Sequence, residues 1–169
     1  SALFGDGAAA VVAVGDRKAD QIGASGPEVI DSRSHLYPDS LRTMGWDVGA
    51  SGFRLVLSPD VPVVVERYLA DDVTEFLASH DLTIGDIGTW VSHPGGPKVI
   101  EAIPATLGLA DDALELTWRS LAEIGNLSSV SVLHVLRDTM VKRPPEGSAG
   151  VLMAMGPGFC SELVLLRWR

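Results

Sequence analysis

Cysteine is almost missing from this chain: Cys160 is the only one in 169 residues. One thiol cannot close an internal disulfide. Neither a Cys-x-x-Cys pair nor a His-Glu-x-x-His helix is present to hold zinc. The chain therefore reads as a protein of a reducing, cytoplasmic compartment with no metal site. Long apolar runs are also lacking, and no basic stretch precedes an apolar one near the start, so no membrane span and no secretory signal are expected. Positive charge is scarce, with 13 Lys and Arg against 22 Asp and Glu and a net charge of −9, which argues against nucleic acid as a main partner. What remains is 46% apolar, with a mean hydropathy of +0.23, enough for one domain with a real core.

The pattern along the chain alternates between strand and helix signals. Ala8 to Val14 is small, apolar and β-branched, and predicts a strand that closes at Gly15-Asp16. Residues 16–27 are rich in charge and Gly/Pro signals and read as a polar turn. Strands are expected over Glu28 to Leu36, Met44 to Val48 and Phe53 to Leu57, the last two joined as a hairpin through Gly49 to Gly52. Ser58-Pro59-Asp60 starts the clearest helix, Val61 to Ser79. Its apolar residues recur at three- and four-residue steps, and Glu66, Arg67, Asp71, Asp72 and Glu75 are read as its solvated face. Further helices are expected from Lys98 to about Leu107, from Asp111 or Asp112 to Ile124, and over Asn126 to Met140, the last apolar on most sides. Val151 to Met155 and Leu163 to Trp168 read as closing strands. Apolar strands alternating with helices point to an α/β fold, a layered mixed sheet with helices on both faces.

One stretch stands apart. Trp90 to Lys98, WVSHPGGPK, reads as a short buried strand that ends in His93 before a stiff Gly/Pro turn and a new helix. Strand ends of this kind are where α/β folds place chemistry, and imidazole suits proton transfer and oxyanion stabilisation near neutral pH. Alone, the pattern is equally that of a plain turn histidine. A second candidate is the start of the buried helix, where Gly125, Asn126 and small serines gather at free backbone N–H groups.

Four motifs, SALFGDGAAA at 1–10, HPGGPK at 93–98, GNLSS at 125–129 and GPGFCSELVLLRW at 156–168, together resemble the C-terminal half of the type III polyketide synthases. These are the chalcone synthase-like branch of the thiolase superfamily. The resemblance covers essentially the whole chain, residues 1–169, as a single C-terminal domain. It implies a thiolase-like half and an acyltransferase that loads an acyl-CoA starter on cysteine. The starter is then extended by decarboxylative condensation with malonyl-CoA to an alkylpyrone, alkylresorcinol or related polyketide. Under this resemblance His93 and Asn126 are the catalytic pair, donating hydrogen bonds to a thioester oxygen. Phe4 and Phe53 match gatekeeping phenylalanines, Ser128 with Gly156, Pro157 and Gly158 match cavity-lining positions, and Lys98 lies where coenzyme A phosphates would be met. Coenzyme A thioesters are expected as substrates, with no bound cofactor, and the family implies a homodimer.

The family's nucleophilic cysteine precedes the SALFGDG stretch and is absent from this chain, and Cys160 reads as a core residue. The chain alone is therefore expected to be inactive. A ketoacyl-carrier-protein synthase III-like enzyme is the alternative, although that branch carries a different histidine motif. A self-associating structural fragment is the non-enzymatic alternative. His35, His80 and His134 carry no motif and are assigned no chemistry.

Overall fold

The computed structural model describes residues 3–169, so Ser1 and Ala2 of the first motif lie outside the described residues. The elements run α1 (Asp16–Ile22), β1 (Pro27–Leu36), β2 (Met44–Gly49), β3 (Gly52–Leu57) and α2 (Val61–Ala78). A single 3-10 turn follows at Ile84–Asp86, then β4 (Ile87–Ser92), α3 (Pro97–Leu107), α4 (Glu115–Ile124), α5 (Ser129–Lys142), β5 (Ala149–Gly156) and β6 (Cys160–Trp168). Four strands form one mixed sheet in the order β1-β6-β5-β4. Strands β4 and β5 are parallel, joined through α3, α4 and α5, and the other two pairings are antiparallel. Among the described residues, strands β2 and β3 pair only with each other.

Alternation along the strands sends apolar side chains to both faces, and each face is covered by helices. On one side Trp90, Val151, Met153, Leu163 and Leu165 pack with Val65, Leu69, Val73 and Phe76 of α2 and Ile100 and Ile103 of α3. On the other, Val91 packs with Val132 and Val135 of α5, and Leu152 borders them. The α/β reading with helices on both faces therefore holds.

Two local expectations do not. Ala8 to Val14 is not a strand, and Val12 is 93% exposed. A β-branched apolar run becomes a strand only when a neighbour supplies the ladder, and among the described residues none lies beside it. Residues 16–22, expected as a turn, form α1, which carries Asp16 in its first turn and closes on Gly23 in the left-handed conformation at φ 57°.

A third correction concerns α2. Asp72, assigned to the solvated face, is buried. It stands three residues after Leu69 and four before Phe76, at the rim of the apolar stripe, where a charge can turn either way. Here it turns inward because His35 of β1, Tyr37 beyond that strand and Ser161 of β6 all meet it.

Phe76 is fully buried at the centre of the larger core. Phe76→Ala should lower unfolding free energy by about 3–5 kcal/mol, read as a lower midpoint in urea denaturation.

Candidate active site

His93 follows directly on β4, and its N–H donates to the Met153 carbonyl at 2.9 Å, continuing the parallel ladder one residue past the strand. The chain then reverses within Pro94-Gly95-Gly96. Gly95 N–H donates to the His93 carbonyl at 2.9 Å, and Pro97 opens α3, a position where its missing N–H is harmless. The imidazole is largely buried, and burial alone pushes its pKa down from 6.5 to about 4. At neutral pH the ring is uncharged, with one N–H to give.

Asn126 reaches the same place from the other side. It precedes α5, and its backbone is pinned by residues 3–5: Asn126 N–H donates to the Leu3 carbonyl at 2.8 Å, and Gly5 N–H donates to the Asn126 carbonyl at 3.1 Å. Gly125 has φ 76°, and a β-carbon there would stand 2.8 Å from the Leu3 carbonyl oxygen, so glycine is required on both counts. The Asn126 carboxamide is oriented at both ends. Its Oδ1 accepts from Ser128 N–H at 2.8 Å, and its Nδ2 donates to the Gly95 carbonyl at 3.0 Å. That pattern fixes which end of the amide is the donor and leaves one N–H uncommitted. Ser128 itself holds φ 58°, an uncommon left-handed conformation for a residue with a β-carbon, at the start of α5.

His93, Asn126, Gly95 and Ser128 all border one cavity of about 830 Å³. Its walls are largely apolar. Phe4 and Leu3 stand on the Asn126 side, and Met153, Met155, Gly156 and Pro157 come from β5 and its turn. Lys98 is exposed in the first turn of α3 and also lines the cavity. Two expected residues do not line it. Gly158 instead donates its N–H to the Met44 carbonyl at 2.9 Å, tying the β5–β6 turn to the base of the hairpin. Phe53 shares a face of the hairpin with the lining residues but sits at its tip, 75% exposed, with its ring 6.2 Å from that of Trp46.

The wall on that side is made by Met44, Trp46, Leu55 and Leu57. From sequence these residues were read only as members of two short strands. Their signal was present as period-two spacing in two facing strands: Met44 pairs with Leu57 and Trp46 with Leu55.

Cys160 is not an activated thiol. Its Sγ lies 3.7 Å from the Pro157 carbonyl, and burial together with the Glu162 carboxylate raises its pKa.

The family model for the C-terminal domain of chalcone and stilbene synthases matches residues 28–168. The chain belongs to that family, as the C-terminal domain of a type III polyketide synthase. It is 57% identical over 168 residues to a 1,3,6,8-tetrahydroxynaphthalene synthase of Streptomyces peucetius subsp. caesius, covering 99% of this chain and 44% of that protein. It is 38% identical to a putative chalcone synthase of Bacillus subtilis (strain 168), covering 99% of this chain and 47% of the relative. The crystal structure of 1,3,6,8-tetrahydroxynaphthalene synthase from Streptomyces coelicolor A3(2) superposes with a TM-score of 0.81 at 30% identity, over 87% of this chain and 42% of that one. The chain thus spans less than half the length of these relatives. Among the described residues no helix is long and apolar enough to cross a membrane.

A depressed histidine has a signature in stability. Below pH 6.5 the unfolded chain binds a proton at His93 that the folded chain refuses until about pH 4. Stability from this group should therefore fall as pH drops through that window, by on the order of 3 kcal/mol in all, and level off below it. Imidazole NMR should show one ring titrating near pH 4, and His93→Gln should flatten the matching part of the stability profile.

Proposed function

We propose that this chain supplies the oxyanion donors and part of the chain-holding cavity of an enzyme that condenses coenzyme A thioesters. The observation that carries the reading is the convergence of a neutral His93 and an oriented Asn126 amide on one apolar cavity. Both offer N–H donors without adding a formal charge, and such donors gain strength where water is excluded.

With malonyl-CoA in place, its thioester oxygen takes hydrogen bonds from His93 and Asn126. Carbon dioxide leaves, and the electron pair of the broken bond is held as an enolate whose negative oxygen faces the two donors. The enolate carbon attacks the acyl thioester carried on a cysteine, a new carbon–carbon bond forms, and the cysteine departs as thiolate. That cysteine belongs to the N-terminal part of the enzyme, outside this chain. An imidazole facing it would favour the thiolate. Lys98, exposed beside the cavity, meets the coenzyme A phosphates, and the working enzyme is a homodimer without a bound cofactor.

Among product classes, a hydroxylated naphthalene has support from the 57% identity to the Streptomyces peucetius relative. The pyrone expected from sequence has support from 36% identity to an alpha-pyrone synthesis polyketide synthase-like protein of Mycobacterium tuberculosis.

In the full-length enzyme, His93→Ala should lower both malonyl-CoA decarboxylation and condensation by about 10²–10³-fold, followed by carbon dioxide release and product chromatography. The 169-residue chain alone should give no product from acyl-CoA and malonyl-CoA. Near-normal turnover of the variant removes His93 from the chemistry, and product from the chain alone removes the need for an outside cysteine.

A further inference from the structure

Asp72 is a buried carboxylate on α2, and the condensation chemistry gives it no task. Three side chains meet it. Ser161 Oγ of β6 donates to Oδ2 at 2.9 Å, the Tyr37 hydroxyl donates to the same oxygen, and His35 Nδ1 of β1 lies 2.5 Å from Oδ1. Burial first, and then the hydrogen bond to Asp72, hold the Tyr37 phenol above its ordinary range, so Tyr37 stays a donor. Burying a carboxylate is costly, and well-packed apolar side chains in place of such a cluster are often as stable or more so. What the carboxylate adds is direction. It takes three hydrogen bonds at set angles from three separate parts of the chain, where apolar packing alone would leave their relative positions looser.

Tyr37 opens the segment that leads from β1 into the hairpin, and that segment is tied down link by link. The Tyr37 ring stacks on that of Tyr68 of α2 at 4.8 Å, and its N–H donates to the Phe159 carbonyl at 2.9 Å. Ser40 Oγ donates to the Tyr37 carbonyl at 2.6 Å and accepts from Phe159 N–H at 2.9 Å. Thr43 N–H donates to the Ser40 carbonyl, and Ser58 N–H donates to the Thr43 carbonyl, each at 2.8 Å, which closes the base of the hairpin. Gly158 N–H donates to the Met44 carbonyl at 2.9 Å. A continuous path thus runs from Asp72 through Tyr37, Ser40 and Thr43 to the hairpin base and the β5–β6 turn. Met44 and Leu57 at that base line the cavity, as do Gly156 and Pro157 of the turn. Asp72 does not line it.

We propose that Asp72 is a positioning residue for the cavity wall: by holding Tyr37 and Ser161 on one carboxylate it fixes the hairpin base against the β5–β6 turn, and so fixes the length of chain the cavity accepts. The proposal rests on the reading of this cavity as the place where a growing polyketide lies. A chain that lengthens by one unit per condensation stops when the walls leave it no room, so a displaced wall alters product length. The two oxyanion donors are held by other bonds. His93 N–H donates to the Met153 carbonyl and Asn126 N–H to the Leu3 carbonyl, and these give the internal reference for a test.

The test compares Asp72→Ala, Tyr37→Phe and Asp72→Asn in the full-length enzyme. Asparagine keeps the shape: its oxygen accepts from Tyr37 and Ser161, and its amide donates to Nδ1 of a neutral His35 ring. By hydrogen exchange, Asp72→Ala should speed the Tyr37, Gly158 and Phe159 amides about tenfold relative to those of His93 and Asn126. Tyr37→Phe, which removes one bond, should speed them about fivefold, and Asp72→Asn should leave them at the wild-type rate. By chromatography, Asp72→Ala and Tyr37→Phe should lower the longest product about fivefold relative to malonyl-CoA decarboxylation, with shorter products in its place, and Asp72→Asn should restore the wild-type ratio. A residue that only stabilised the fold would speed all these amides in parallel and lower decarboxylation and longest product together. That parallel loss, a wild-type pattern in Asp72→Ala or Tyr37→Phe, or an Asp72→Asn variant as altered as Asp72→Ala would each overturn the proposal. If Asp72→Ala does not fold, Tyr37→Phe carries both readouts. A wild type that condenses nothing, while exchange follows the variants as expected, would refute the proposed reaction and still support the role of Asp72. Normal condensation with unaltered exchange would refute the role of Asp72 alone.

Discussion

The site depends on one side-chain amide. Asn126 accepts from Ser128 N–H with its oxygen and gives one of its protons to the Gly95 carbonyl. Those two bonds join the turn after β4 to the start of α5, segments separated by 31 residues. They also settle the orientation of the amide, so its remaining N–H needs no reorganisation to serve an oxyanion. Much of the local backbone is organised around that placement. Leu3 and Gly5 clamp the Asn126 peptide, Gly125 accepts a left-handed φ to let them approach, and Ser128 accepts another just beyond.

Around this clamp the cavity is apolar, and the apolarity has two effects that act together. It keeps the His93 imidazole neutral by making the charged form costly to bury. It also removes the water that would otherwise compete for the donors, so each hydrogen bond to a developing charge counts for more. A neutral imidazole beside an asparagine amide offers N–H donors without a formal charge. The same low-dielectric surroundings explain why the second buried polar cluster, at Asp72, is fully paired. Three donors on one carboxylate are what burial of that charge requires.

Legibility in the sequence followed the physics of each feature. His93 and Asn126 could be singled out because both stand in motifs the family resemblance marks, and the fold brings them to one cavity. The long helix α2 could be found because its apolar residues keep helical spacing for eighteen residues. The strand at 8–14 was misread because an apolar run carries the propensity but not the partner that a ladder needs. Asp72 was misread because a rim position on a helix is decided by what arrives opposite it, and the partners His35, Tyr37 and Ser161 lie 37, 35 and 89 residues away. Phe53 was placed by motif, whereas its position relative to the cavity is set by hairpin register. Gly49 pairs with Gly52, which puts Phe53 beside the turn and leaves Leu55 and Leu57 against the cavity.

The hairpin β2–β3 forms a sheet of its own, yet four of its residues make one wall of the cavity. Its backbone ladder is closed within itself, the Gly158 N–H donates to the Met44 carbonyl, and Met44 packs against the larger core. A side chain exchanged at Trp46 or Leu55 changes the shape of the cavity from outside the sheet that holds β4. One wall of the cavity and the strand that leads into His93 thus belong to different sheets.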